Sequence, residues 1–337
     1  MRRREFIGVL SGSALAWPIA ARSQQPTKMY RLAIVHPSAP VADLTEETTH
    51  GGTFYPFFFK ALRQLGYAEG QNLEVERWTA EGRPERYEEI ASDVIASKPD
   101  VVFVPTGRMT LPFKHLTSTL PMVVLVGSDP IQMGIVENLS HPGANITGFT
   151  TEAGPEFLGK FFQILRDLKP ALKKVGFLAP SQGWSAWQPV ILATSQSMGI
   201  SVVGPTVESP FSEQEHRSSL TSMIDDGIEA LVVSTAFETV AHRSMIIQLV
   251  QDHRLPAIYP LPEYVSAGGL MAYTSDFSEV LMGLAHYVDL ILRGAKPGDL
   301  PYLQPTRFHF AVNLKAARAI ELDIPAALLA SADKVIE

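Results

Sequence analysis

Five short, almost uninterrupted apolar runs recur along the chain, at residues 32–35, 101–104, 122–126, 175–179 and 231–233. A half-exposed strand alternates apolar with polar residues, so a run without that alternation needs both faces covered, as in a parallel sheet between helices. The segments between the runs have helical period. Behind Pro84, which a first helical turn tolerates, Tyr87, Ile90, Ala91, Val94 and Ile95 share one face. Phe157, Leu158, Phe161, Phe162, Leu165 and Leu168 form a second stripe, and Phe277, Val280, Leu281, Leu284, Val288 and Ile291 a third. Ser212 and Glu215 have capping-box spacing ahead of Leu220, Met223 and Ile224, and Asp276 and Glu279 repeat it at the head of the third stripe. Strands alternating with helices mean an α/β fold with right-handed crossovers.

The alternation runs twice, from Arg31 to about Asn145 and from Lys174 to about Tyr273. Ile146-Thr147-Gly148-Phe149 and Leu270-Met271-Ala272-Tyr273 read as connecting strands. The expected architecture is two doubly wound parallel-sheet lobes joined by a hinge: residues 28–147 plus 276–301 in lobe 1, and residues 148–275 plus 302–337 in lobe 2. The last stretch is placed as a strand over 307–312 that returns to lobe 2, with Asn313 capping the helix after it. Open parallel sheets bind ligands beyond the carboxyl ends of their strands, and here two such edges would face each other.

The first residues read as an export address. Arg3-Arg4-Glu5-Phe6-Ile7 has the spacing of a bacterial twin-arginine signal, the apolar stretch over 6–21 is too short for a membrane span, and Ala21 and Ser23 are small enough for a cleavage site. Residues 1–23 are therefore expected to be a twin-arginine signal peptide, with the mature chain in the periplasm from near Gln24. Without them, 24 basic side chains face 34 acidic ones, a balance that argues against nucleic acid or anionic lipid as the main partner. The absence of cysteine excludes disulfides, thiolate metal sites and thiol nucleophiles. About 310 mature residues exceed what one core usually organises, which again points to two lobes.

Fingerprints of catalysis are missing. There is no G-x-G-x-x-G, Walker loop, G-x-S-x-G or HExxH. Glu213 and His216 have Glu-x-x-His spacing, but a metal needs further ligands, so both are expected on a solvated helix face. The informative residues follow the strand ends. The first set supplies His36 and Ser38, then Thr106, Gly107 and Arg108, then Ser128 and Asp129; the second supplies Ser181 and Trp184, then Ser234, Thr235 and Phe237, then Tyr259 and Glu263. All are expected to crowd one mouth.

Each has two readings. Ser128 and Asp129 ahead of Pro130 cap a helix, line the cleft, or do both. The amides after Thr106 either continue a strand-to-helix turn or hold a carboxylate. Arg108 sits in solvent or pairs with an anionic ligand. Trp184 covers its lobe or stacks on a ligand ring. Glu263 is a surface carboxylate or the partner of a ligand ammonium.

Several stretches carry a family resemblance: Leu62-Arg63-Gln64-Leu65-Gly66-Tyr67-Ala68-Glu69-Gly70-Gln71-Asn72, Gly127-Ser128-Asp129-Pro130, His141-Pro142-Gly143-Ala144-Asn145-Ile146-Thr147-Gly148, and Leu255-Pro256-Ala257-Ile258-Tyr259-Pro260. They continue with Ala267-Gly268-Gly269-Leu270-Met271-Ala272-Tyr273, Gly294-Ala295-Lys296-Pro297-Gly298-Asp299-Leu300-Pro301 and Gln304-Pro305-Thr306. From Tyr30 to Glu337 the chain resembles the ABC-transporter substrate-binding proteins of the tryptophan/tyrosine-type branch. The resemblance implies a type I periplasmic binding fold, no catalysis, no cofactor, and a small-molecule ligand passed to an ABC permease in the inner membrane. The chain departs from the family pattern at Thr106-Gly107-Arg108-Met109 and Ser181-Gln182-Gly183-Trp184, so an aromatic amino acid and an aromatic or other organic acid both stay open as ligand.

The resulting expectation is a monomeric periplasmic solute receptor of an ABC importer. Ser38, Thr106, Gly107, Arg108, Ser128, Asp129, Trp184, Ser234, Phe237, Tyr259 and Glu263 are its candidate ligand-binding residues. The rivals are an exported α/β hydrolase or lyase, which predicts turnover, and a sensory module that uses the same cleft.

Overall fold

The computed structural model describes residues 28–48, 54–127, 129–151, 155–204, 206–208 and 211–337; the signal expected at 1–23 lies outside them, as does Ser128. The first sheet holds β1 (Tyr30–His36), β2 (Leu73–Thr79), β3 (Val101–Val104), β4 (Met122–Val126) and β5 (Ile146–Thr150). All are parallel, in the order β2-β1-β3-β4-β5. The second sheet holds β6 (Lys174–Pro180), β7 (Ser201–Val203), β8 (Thr206–Val207), β9 (Ala230–Val233), β10 (Ala257–Tyr259), β11 (Met271–Ser275), β12 (Phe308–Asn313) and β13 (Lys334–Ile336). Its order, β7-β6-β9-β10-β11-β12-β13, repeats the winding of the first sheet and then adds an edge pair. β12 runs antiparallel to β11, so this sheet is mixed at one side.

The apolar runs are buried on both faces, as their composition requires. In β1, Leu32 and Ile34 enter one core while Ala33 and Val35 enter the other. β9 does the same, with Ala230 and Val232 on one side and Leu231 and Val233 on the other. The helical stripes close these cores. Helices Phe54–Gln64 and Phe277–Leu292 supply Phe58, Leu62, Val280 and Leu284 to one face of the first sheet. Helix Pro155–Leu168 supplies Phe157, Phe161, Phe162 and Leu165 to the second.

Caps set the helix starts. Ser212 accepts from the Glu215 N–H at 3.3 Å, Asp276 from Ser278 and Glu279 at 3.0 and 3.3 Å, and Asn313 from Ala316 at 3.1 Å. One expectation fails on helix Glu213–Asp225. Its positions 216, 220 and 223 turn together into the core, so His216 is wholly buried rather than solvated. Its Nδ1 lies 2.9 Å from the Ser212 carbonyl oxygen, and burial holds its pKa below the ordinary value. Glu213 does face solvent, in an ion pair with Arg217 at 3.3 Å.

The chain crosses between lobes at three places, and two of the crossings exchange helices. After β5 it enters helix Pro155–Leu168, which packs in the second lobe; after β11 it enters helix Phe277–Leu292, which packs on the first sheet. This second helix is pinned by Asp289, which accepts from the Tyr67 hydroxyl at 2.8 Å and from Arg293 Nε at 2.5 Å. The third crossing follows Leu303, whose N–H donates to the Gly148 carbonyl and whose carbonyl accepts from Thr150 N–H, both at 2.9 Å. Arg307 ties it to the second crossing: its carbonyl accepts from Asp276 N–H at 2.8 Å, and its guanidinium lies 3.4 Å from the Asp276 carboxylate. Burial works to raise the Asp276 carboxyl, yet the amides of Glu279 and Ser278, with Arg307 and His309, hold it below its ordinary value.

Candidate functional site

The loops after the parallel strands of both sheets meet around a cavity of about 550 Å³. The first lobe contributes residues 105–108 after β3, Gly127 after β4 and Thr151 after β5; the second contributes Pro180 at the end of β6, residues 234–238 after β9 and residues 261–263 after β10. In each sheet the winding reverses between its first and third strands, where crossovers leave in opposite directions and loops separate to admit a ligand. Most of the wall is apolar. Phe54 and Phe57 come from helix Phe54–Gln64, Met133 from the turn after β4, and Phe237 and Leu261 from the second lobe.

Thr106, Gly107, Arg108, Ser234, Phe237 and Glu263 line this one cavity. Helix Gly107–Leu116 starts there behind Thr106, whose extended backbone lets the chain turn from strand into helix. Met133 packs against Gly107, where a Cβ would lie 2.4 Å from its Cε. Ser234 is buried beside Thr239, with their hydroxyl oxygens 3.4 Å apart.

Four candidates stand elsewhere. Ser38 is off the wall: its N–H, with that of Ala39, donates to His36 Nδ1 at 3.0 and 2.7 Å. Asp129 Oδ1 accepts from Ile131 N–H at 2.8 Å and shapes a tight turn over 130–134, where the sequence suggests a helix. Trp184 covers its own lobe. Its ring lies 5.7 Å from Phe177 and over Gly204, where a Cβ would meet it at 2.3 Å, and it is not part of the cavity wall. Tyr259 is 1% exposed and stacks on Tyr264 at 4.6 Å, inside the second lobe's core that holds Leu231 and Val233. Ser128 lies outside the described residues.

Arg108 is engaged across the gap. Its Nη1 lies 3.5 Å from Glu238 Oε1 of the second lobe, and its guanidinium carbon sits 5.7 Å from the centre of the Phe211 ring. Beside this pair, His36 of the first lobe meets the edge of Phe237 at 4.6 Å. Burial pushes the His36 pKa down to about 3, and its Nδ1 accepts two N–H donors, so the ring stays neutral at the interface.

Glu238, Phe211, Phe54 and Phe57 escape a reading of strand ends. Glu238 is one residue past a predicted position and looks like any helix-start carboxylate. Phe57 carries a usable signal: in a helix whose apolar face is filled by Phe58, Phe59 and Leu62, a further aromatic residue, 42% exposed, points the other way. Among the described residues, no cluster of three or more His, Asp or Glu could hold a metal ion, and no helix is long and apolar enough to cross a membrane.

Two similarly wound α/β lobes, helices exchanged between them, and a largely apolar cavity at their facing rims define a two-lobed solute-binding protein. The chain belongs to the ABC transporter substrate binding protein family, whose model matches residues 53–336. That family is one of binding proteins rather than enzymes. A Tyrosine-binding protein of Clostridioides difficile (strain R20291) is 21% identical over 267 residues, 79% of this chain and 75% of its own length. Among solved structures, a conserved domain protein from Vibrio cholerae is 22% identical with a TM-score of 0.81, over 91% of this chain and 100% of the other. An ABC domain in complex with L-Trp from Streptococcus pneumonia is 21% identical with a TM-score of 0.79, over 92% of this chain and 100% of the other. At these identities the structural likeness speaks for the fold.

Proposed function

We propose that the protein is the periplasmic receptor of an ABC importer, exported by the twin-arginine route, acting as a monomer and passing a small solute with an aromatic or bulky apolar body to an inner-membrane permease. The observation that carries this reading is the cavity of about 550 Å³ lined from both lobes at their strand ends. A solute there touches both lobes only when they are together, so its differential affinity for the closed form moves the hinge. Phe57 and Phe237 offer aromatic contact, the Gly107 amide and Thr106 and Ser234 offer hydrogen bonds, and Glu263 suits an ammonium group. Aromatic amino acids fit this lining, and two relatives point the same way: one is named for tyrosine and one holds L-Trp. The lobes are taken to divide as the sequence suggests at 276 and 302, but with the first boundary after Thr150 rather than at 147, because β5 lies wholly in the first sheet and Phe149 in its core.

The test is a thermal-shift and calorimetric screen with tryptophan, tyrosine, phenylalanine, benzoate and aliphatic amino acids. A true ligand at one hundred times its dissociation constant should add about 2.7 kcal/mol of stability. A panel that moves no transition, with native mass spectrometry showing no retained solute, would remove the reading.

A further inference from the structure

The Arg108–Glu238 pair joins residues from opposite sides of the cleft and sits in the wall of the cavity itself. Arg108 is in the first turn of helix Gly107–Leu116 in the first lobe, and Glu238 in the first turn of helix Phe237–Ala241 in the second. Their side chains are 20% and 10% exposed, so both charges are largely withdrawn from water. Separating the lobes would break this pair and open both charges to water. The same guanidinium lies over Phe211, itself 4% exposed in a core of the second lobe, and the Tyr87 hydroxyl of the first lobe is close by. Burial first, and then the Glu238 charge, push the Tyr87 pKa up to about 12, with Arg108 pulling the other way.

We propose that Glu238 is the cleft's own counter-anion: it grips Arg108 across the gap, draws the lobes together, and withholds that guanidinium from anionic solutes. This rests on the receptor reading above and adds a specificity to it. A plain organic acid must displace Glu238 to reach Arg108, whereas a solute of zero net charge meets a wall already neutralised there. Glu238 is thus a selectivity residue as well as a closing contact, because the carboxylate that joins the lobes also cancels the nearest cation.

The chain has no cysteine, so the exposed pair Asp93→Cys and Gln214→Cys, one on each lobe, takes two labels for interlobe distance measurement without background. In the ligand-free labelled protein, Glu238→Gln and Arg108→Gln should each raise the open-to-closed ratio about fivefold or more. The exchanged double variant, Arg108→Glu with Glu238→Arg, should bring it back to within about twofold of the parent. Distance distributions that are the same in the parent and both single variants, with unchanged melting curves to show that all are folded, would overturn the proposal. A second arm titrates 3-phenylpropionate and its neutral primary amide: Glu238→Gln should raise the acid-to-amide affinity ratio about tenfold, and an unchanged ratio would refute the selectivity. Should neither these probes nor any amino acid bind, the receptor reading fails while the distances still decide the grip.

Discussion

His36 shows how one side chain can serve an interface by staying uncharged. The Ser38 and Ala39 amides occupy Nδ1, and Phe237 of the other lobe covers the ring. The unfolded chain takes up a proton near pH 6.5 and the folded one only near pH 3, so the native state binds fewer protons between those values. Stability from this residue is therefore complete above pH 6.5 and is lost as pH falls toward 3, by at most about 1.4 kcal/mol per unit. His36→Asn keeps an acceptor and does not titrate, so urea titrations at a series of pH values should show its curve flatter than the parent's across that window. Neighbouring phenylalanines separate packing from recognition. Phe58→Ala, in the core, is expected to cost about 3–5 kcal/mol in denaturant titration. Phe57→Ala, exposed to the cavity, should change stability by less than about 0.5 kcal/mol. Its affinity for the solute that the screen selects should fall roughly tenfold or more, by calorimetry, through lost apolar burial. Residue types were a poor guide to position: Trp184 and Tyr259 follow strand ends as ligand contacts would, yet each packs within its own lobe and neither lines the cavity.

Elements were more legible, because periodicity and caps act locally. The stripes that begin at Phe157 and Phe277 are the buried faces of two helices, and the caps at Ser212, Asp276 and Asn313 all form. The turn after Asp129 was not legible as such, since Asp-Pro opens a helix and a tight turn equally well. At the hinge, Gly148 stands in β5 where a Cβ would lie 1.8 Å from the Val124 carbonyl oxygen, a backbone atom that cannot swing aside. Its own carbonyl receives the third crossing from Leu303. Gly148→Ala should therefore destabilise by about 3 kcal/mol or more, read as a lower urea midpoint, with faster amide exchange at Thr150 and Leu303.

At the scale of the whole molecule, the first lobe's core is closed by a helix that the chain supplies only after it has passed through the second lobe. Removing everything after residue 275 takes away helix Phe277–Leu292 and uncovers Phe149, which packs on Tyr287 at 5.3 Å and over Gly283. That truncated chain is expected to lose the first lobe's native near-ultraviolet circular dichroism as well as the C-terminal strands. A first lobe that kept its signal would show the exchange to be dispensable. From sequence alone came the two-fold α/β alternation, the buried strands, most helix starts and the set of strand ends from which a site would be built. All of these follow from short-range periodicity and backbone geometry. Only the tertiary structure decided which strand-end residues share a cavity, that Arg108 already has a partner in Glu238, and that two aromatics face inward. Those outcomes depend on how two separately wound sheets are rotated and brought together, and contacts between residues 130 positions apart leave no local pattern to read.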